Sequence, residues 1–169
     1  MNTASVSQEQ EKPWHAHFPA PRETAPKAIT REDLLDRFRQ GQRGGRDFLL
    51  VDLRRNDHAG GTITHSLNLP AQTLYPSLAT LYTLCTAAHI PLAIFYCGSS
   101  GGRGTRAAGW LAAYIADQAG PAATATATTT PTLQSVILKG GVKGWVAGGD
   151  EFTAWMDGFE PEAWKKEGE

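Results

Sequence analysis

The sequence holds only two cysteines and two methionines in 169 residues, and it lacks any apolar run near the roughly 20 residues that a bilayer-spanning helix needs. Two thiols, Cys85 and Cys97, are too few for a disulfide framework. A reducing compartment is therefore expected, where a thiol serves packing or reactivity. The N-terminal stretch to Lys12 is polar and has no signal-peptide centre, so the expected location is cytoplasmic or nuclear. An excess of either charge is also missing. The net charge of −1 gives no overall field, so neither nucleic acid nor a membrane is an expected partner. Any anion chemistry has to come from local positive charge. His15 and His17 have no companion ligands, so no metal is expected.

What is present is an alternation of apolar runs with helical periodicity. Residues 1–28 are rich in proline and polar side chains and read as a tail, partly disordered or packed on the domain, with Trp14 and Phe18 as anchors. Thr30, followed by Glu32 and Asp33, starts a helix carrying Leu34, Leu35 and Phe38. The run from Asp47 to Leu53 fits a strand buried on both faces, as does Leu92 to Tyr96. Ser66 to Leu69 is a short strand closed by Pro70. The spacing predicts one helix over Leu74 to Ala88, with Cys85 in the core, and another over Thr105 to Asp117. Ser135 to Leu138 is the last strand, and Gly140 to Trp145 turns into a helical segment. Such alternation predicts an α/β domain over residues 29–149, with a mainly parallel sheet of about five strands and helices on both faces. Residues 119–132 are an Ala/Thr-rich surface insertion, and residues 150–169 a helical extension with an apolar face.

The chemistry concentrates in Cys97-Gly98-Ser99-Ser100-Gly101-Gly102-Arg103-Gly104, between a buried strand and a helix. Ligands of open parallel sheets bind beyond the carboxyl ends of the strands. The glycines permit a loop that curls until its N–H groups face one centre, and the following helix adds its positive end. Arg103 supplies a bidentate partner for a tetrahedral oxyanion. These groups favour a thiolate at Cys97, the form that attacks. Cys97 and Arg103 are thus the catalytic candidates. Gly98, Ser99, Ser100, Gly101, Gly102 and Gly104 are the substrate-binding candidates.

The same residues resemble a known superfamily. Leu50-Val51-Asp52-Leu53-Arg54, Gly60-Gly61-Thr62-Ile63 and Leu67-Asn68-Leu69-Pro70 resemble the front half of a rhodanese-like domain. Tyr96-Cys97 with its loop, and Gly140-Gly141-Val142-Lys143-Gly144-Trp145, resemble the back half. Sulfurtransferases of that superfamily carry a six-residue loop. Here seven residues run from Cys97 to Arg103, which resembles the cell-cycle dual-specificity phosphatases and the eukaryotic arsenate reductases. Arg103-Gly104-Thr105-Arg106 is similar to the Arg-Gly-Pro-Arg that follows their loop, which adds Arg106 to Asp52 and Arg54 as supporting residues.

That resemblance implies a cysteine-dependent oxyanion enzyme without a bound cofactor. Its substrate would be a small oxyanion or a phosphorylated molecule. Arsenate reduction, with glutathione or glutaredoxin as external reductant, stands slightly ahead of phosphatase activity. Sulfur transfer from thiosulfate and a non-catalytic rhodanese-like binding module are the alternatives, and oligomeric state is left open. Three positions depart from the branch: Tyr96 stands where histidine is usual, Leu53 where a protective cysteine stands, and the loop has no acidic residue. The resemblance implies a mainly structural Asp52, bonding loop amides or Arg54. Asp57 and His58 are weaker candidates for a proton donor, and Arg54 or Lys143 would border the pocket.

Overall fold

A computed structural model describes residues 11–120 and 132–165. After a 3-10 turn at Trp14–His17, the chain forms β1 (Lys27–Ile29), α1 (Arg31–Arg39), β2 (Leu49–Asp52), β3 (Thr62–Ile63) and β4 (Ser66–Asn68). It continues through α2 (Ala71–Leu74), a 3-10 turn at Tyr75–Ser77, α3 (Leu78–Ala87), β5 (Leu92–Tyr96) and α4 (Arg103–Ala119). The remainder is β6 (Gln134–Leu138), α5 (Gly141–Val146), α6 (Asp150–Thr153), β7 (Met156–Asp157) and α7 (Pro161–Lys165). Five strands make one parallel sheet in the order β1-β6-β5-β2-β4.

Central β5 explains why its sequence is apolar throughout. All five residues are buried, and alternate side chains enter different cores. Ala93 and Phe95 pack with Leu78, Leu81 and Cys85 of α3 and Ala107 and Leu111 of α4. Leu92, Ile94 and Tyr96 join Leu34, Leu35 and Phe38 of α1 and Val142 and Trp145 of α5. Each fully buried large side chain contributes about 1.5–3 kcal/mol, so the central strand is the firmest base for a site. Helix α1 starts as read. Thr30 Oγ1 accepts from Asp33 N (3.1 Å) and Asp33 Oδ2 accepts from Thr30 N (2.9 Å), a reciprocal cap of about 1 kcal/mol.

Four features differ from the sequence reading. The helix expected over residues 74–88 is broken: Pro76 has no N–H to continue it, so a 3-10 turn separates α2 from α3. Strand β1 begins inside the segment read as tail, and three residues are too few to show a period. Upstream of it, Trp14 and Phe18 pack edge-on to Trp110, whose Nε1 donates to Pro19 O (2.8 Å). The C-terminal segment is not one helix. Its β7 pairs antiparallel with β3, and Trp155 stacks on Phe38 with ring centres 5.1 Å apart. Residues 121–131 of the Ala/Thr stretch lie outside the described residues, while Ala119 still belongs to α4. No helix among the described residues is long and apolar enough to cross a membrane.

Candidate active site

The loop leaves β5 at Cys97 and enters α4 at Arg103. Cys97 is buried, and Ser100 N donates to its Sγ (3.2 Å). The bend that aims this amide lies at Ser100, whose φ of 61° is left-handed. None of Gly98, Gly101, Gly102 and Gly104 has positive φ, so glycine freedom is not what curls the loop. Ser100 holds the bend with its hydroxyl: Oγ accepts from Cys97 N (3.4 Å), and Thr105 Oγ1 donates to Ser100 O (3.0 Å). Small size is needed at one of these positions. A Cβ at Gly104 would come within 3.0 Å of Ser100 Cβ, and one at Gly98 would point between Lys143 and Arg103.

Helix α5 clamps the loop from the other side. Val142 N and Lys143 N donate to the carbonyls of Cys97 and Gly98, each at 3.0 Å. The approach requires glycine at 141, where φ is 60° and a Cβ would lie 2.4 Å from Gly98 O. The carbonyls of residues 97 and 98 are thus drawn toward α5. Amides in the first turn of α4 have no acceptor within their own helix, which leaves the positive end of α4 at the loop.

Arg103 makes a fork-to-fork pair with Asp57: Nη1 meets Oδ1 at 2.8 Å and Nη2 meets Oδ2. That pairing, followed by the nearby Cys97 sulfur, holds the guanidinium more firmly protonated than usual. Reciprocally, the hydrogen bonds from Arg103 hold the Asp57 carboxyl well below the usual carboxylate range, against its partial burial and with help from Arg55 N. One arginine therefore faces both the sulfur and a carboxylate.

A second Asp–Arg pair stands directly behind the first. Asp52 and Arg54 are both about fully buried. Arg54 donates through Nη2 to Asp52 Oδ2 (2.7 Å), through Nε to Oδ1 (3.0 Å), and again through Nη2 to Gly61 O (2.7 Å). Thr62 Oγ1 (2.8 Å) and Tyr96 Oη (3.1 Å) also donate to Asp52 Oδ2. Burial pushes the Asp52 carboxyl up, and the hydrogen bonds and charge of Arg54 outweigh it, so the net direction is down. Tyr96, the last residue of β5, belongs to this cluster. Burial, then the Asp52 charge, pushes its hydroxyl up, and it bonds Ser66 (2.7 Å) and Ile63 N (3.2 Å) on the face away from the sulfur. His58 Nε2 lies 3.2 Å from Asp52 Oδ2, out of line for a hydrogen bond.

Cys97, Gly98, Ser99, Gly102 and Arg103 border one cavity of ≈ 620 Å³ at the carboxyl end of β5. Arg54, Asp57 and Lys143 border it too, as do Ala163 and Trp164. Five residues named from the sequence are not on its wall. Ser100 is buried beneath the loop and Gly101 faces solvent. Gly104 packs on Ser100, and Asp52 is enclosed by its partners. Arg106 lies on α4, where its N–H returns to Gly102 O. Trp164 was missed, because it reaches Gly60 from 104 residues away.

No family model matches the sequence, and no curated protein matches it. Solved structures do. Ygr203w of Saccharomyces cerevisiae, a protein tyrosine phosphatase of the rhodanese family, is 22% identical with a TM-score of 0.59, covering 82% of this chain and 96% of that one. The As-Sb reductase of Leishmania major is 21% identical with a TM-score of 0.59, covering 82% and 90%. At these identities the likeness concerns architecture. The chain has the rhodanese-like α/β fold that its motifs resemble.

Proposed function

We propose that the protein is a cysteine-dependent enzyme acting on tetrahedral oxyanions, with phosphate-ester hydrolysis as its reaction. The observation that carries this reading is that Cys97, whose Sγ accepts from Ser100 N, and Arg103 border one cavity. Sγ attacks phosphorus, the P–O bond to the alcohol breaks, and the leaving oxygen takes a proton from solvent. Water then attacks phosphorus, and the S–P bond breaks, which releases inorganic phosphate and returns Sγ as the leaving group. Arg103 and the positive end of α4 stabilise the charge on the non-bridging oxygens, the larger share of catalysis in sites of this kind.

Arsenate reduction is the second reading. It is favoured by the state of Asp57: the carboxylate on the cavity wall is ionised by Arg103, so it offers no proton to a poor leaving group. Water leaves arsenate with less assistance than an alkoxide leaves phosphorus. Cys97 Sγ would bond to arsenic as water departs, and glutathione or a glutaredoxin thiol would attack Sγ. Arsenic then leaves with the electron pair as arsenite, and a second thiol reduces the mixed disulfide.

Parallel assays with an aryl phosphate, with arsenate plus glutathione, and with thiosulfate plus cyanide decide between the readings. Hydrolysis of the first, abolished by Cys97→Ser with retained oxyanion binding, is the expected outcome. Equal turnover by that variant would sink the proposal. Turnover of thiosulfate alone would make the protein a sulfurtransferase, and inactivity in all three a binding module.

A further inference from the structure

The segment after α6 brings Ala163 and Trp164 to the wall of the Cys97 cavity, and its anchor points are specific. β7 pairs with β3, and Thr64 N donates to Trp155 O (2.9 Å). Gly60 O then accepts twice, from Glu160 N (3.3 Å) and from Trp164 Nε1 (2.9 Å). Gly60 and Gly61 are the seat of this strap. Their φ values are 90° and 100°, and a Cβ at Gly60 would lie 2.6 Å from Trp164 Nε1. The Gly-Gly pair after β2 is therefore matched to an indole far downstream. Simple packing would not require that indole to border the nucleophile, yet Trp164 shares the cavity wall with Cys97 and Arg103.

Two features of the cavity say what the indole is for. A lone tetrahedral anion fills only the floor of ≈ 620 Å³, a volume that falls among small-molecule sites of about 300–1,000 Å³. The carboxylate on its wall is ionised, so the leaving group has to depart without a proton from that side chain. A phenol, with a pKa near ~10, departs far more easily than an aliphatic alcohol. Resting on the phosphoester reading above, we infer that Trp164 is a specificity-determining residue that walls the cavity for an aryl leaving group.

Binding to Cys97→Ser, which cannot form the S–P bond, tests this apart from turnover. O-phosphotyrosine and inorganic phosphate are titrated into that protein, alone and combined with Trp164→Ala, Trp164→Phe or Gly60→Ala. Trp164→Ala is expected to weaken phosphotyrosine binding about tenfold, the scale of one lost aromatic contact, and to leave phosphate within about twofold. Trp164→Phe keeps a ring and retains most of the preference. Gly60→Ala unseats the indole without altering it and is expected to reproduce the alanine result. If Trp164→Ala does not fold, the Gly60→Ala arm decides. Equal losses for both anions, or no loss for phosphotyrosine, overturn the inference and leave the site reading standing. Failure of folded Cys97→Ser to bind either anion removes the site reading and this inference with it.

Discussion

Two Asp–Arg pairs draw three of their four residues from β2 and the loop after it, and burial gives them opposite jobs. Asp52–Arg54 is enclosed: every donor on the carboxylate side comes from the frame of β2, β3 and β5. Asp57–Arg103 is open, with side-chain exposures of 49% and 24%. The same fork geometry is a brace in the first case and an exchangeable contact in the second. Solvent sets the difference. An exposed pair contributes about 0–1 kcal/mol, whereas removing one partner of a buried pair leaves an uncompensated charge and costs about 3–5 kcal/mol. A site needs both: a frame that does not move, and a cation with attraction left over for substrate.

The comparison breaks most visibly at Asp52. Asp52→Ala is expected to cost about 3–5 kcal/mol in urea unfolding, because Arg54 keeps its charge in the core. Arg103→Lys should lower stability by about 1 kcal/mol or less. The same lysine removes the planar fork and is expected to lower kcat/KM by about 10²–10³, the cost of one oxyanion donor. Equal stability losses at the two positions would refute the division of labour.

Acid sharpens the same contrast. The Asp52 carboxyl titrates below its unfolded value. Its contribution is therefore complete above the ordinary carboxylate range and is lost as pH falls below about 4 toward the folded value. The urea midpoint should fall over that window, and Asp52→Asn should flatten the slope measured there. Asp57 is depressed as well. Its exposure lets water screen the pair, so Asp57→Asn should change that slope less.

Legibility in the sequence followed the range of the interactions. The β5 run and the Cys97–Arg103 segment are local, and periodicity plus one glycine-rich stretch exposed them. Asp52 as a structural carboxylate was also legible, since its partner Arg54 is two residues away. Asp57 was ranked only as a weak proton donor, because its meaning comes from Arg103, 46 residues later. Trp164 counted only toward the apolar face of the C-terminal extension for the same reason, and β1 was too short to carry a pattern. Gly98, Gly101, Gly102 and Gly104 misled in another way. Glycine suggested unusual φ, but the loop assigns the left-handed turn to Ser100, and only Gly104 is needed for clearance.

Ser100 yields the smallest effect and asks whether that bend belongs with the brace or with the exchangeable pair. A left-handed φ costs a non-glycine residue about 1–2 kcal/mol, so the bend must be held by its neighbours. Ser100 Oγ supplies part of that hold by accepting from the buried Cys97 N–H, and leaving such a donor unpaired costs about 1–3 kcal/mol. Ser100→Ala keeps the backbone strain and loses the acceptor. Ser100→Gly loses the acceptor and relieves the strain, so the glycine variant should be the more stable of the two by about 1 kcal/mol. Its greater freedom should still loosen the amide that faces Cys97 Sγ and lower kcat/KM further than alanine does. If the alanine variant were both the more stable and the less active, the bend would not be where strain and chemistry meet.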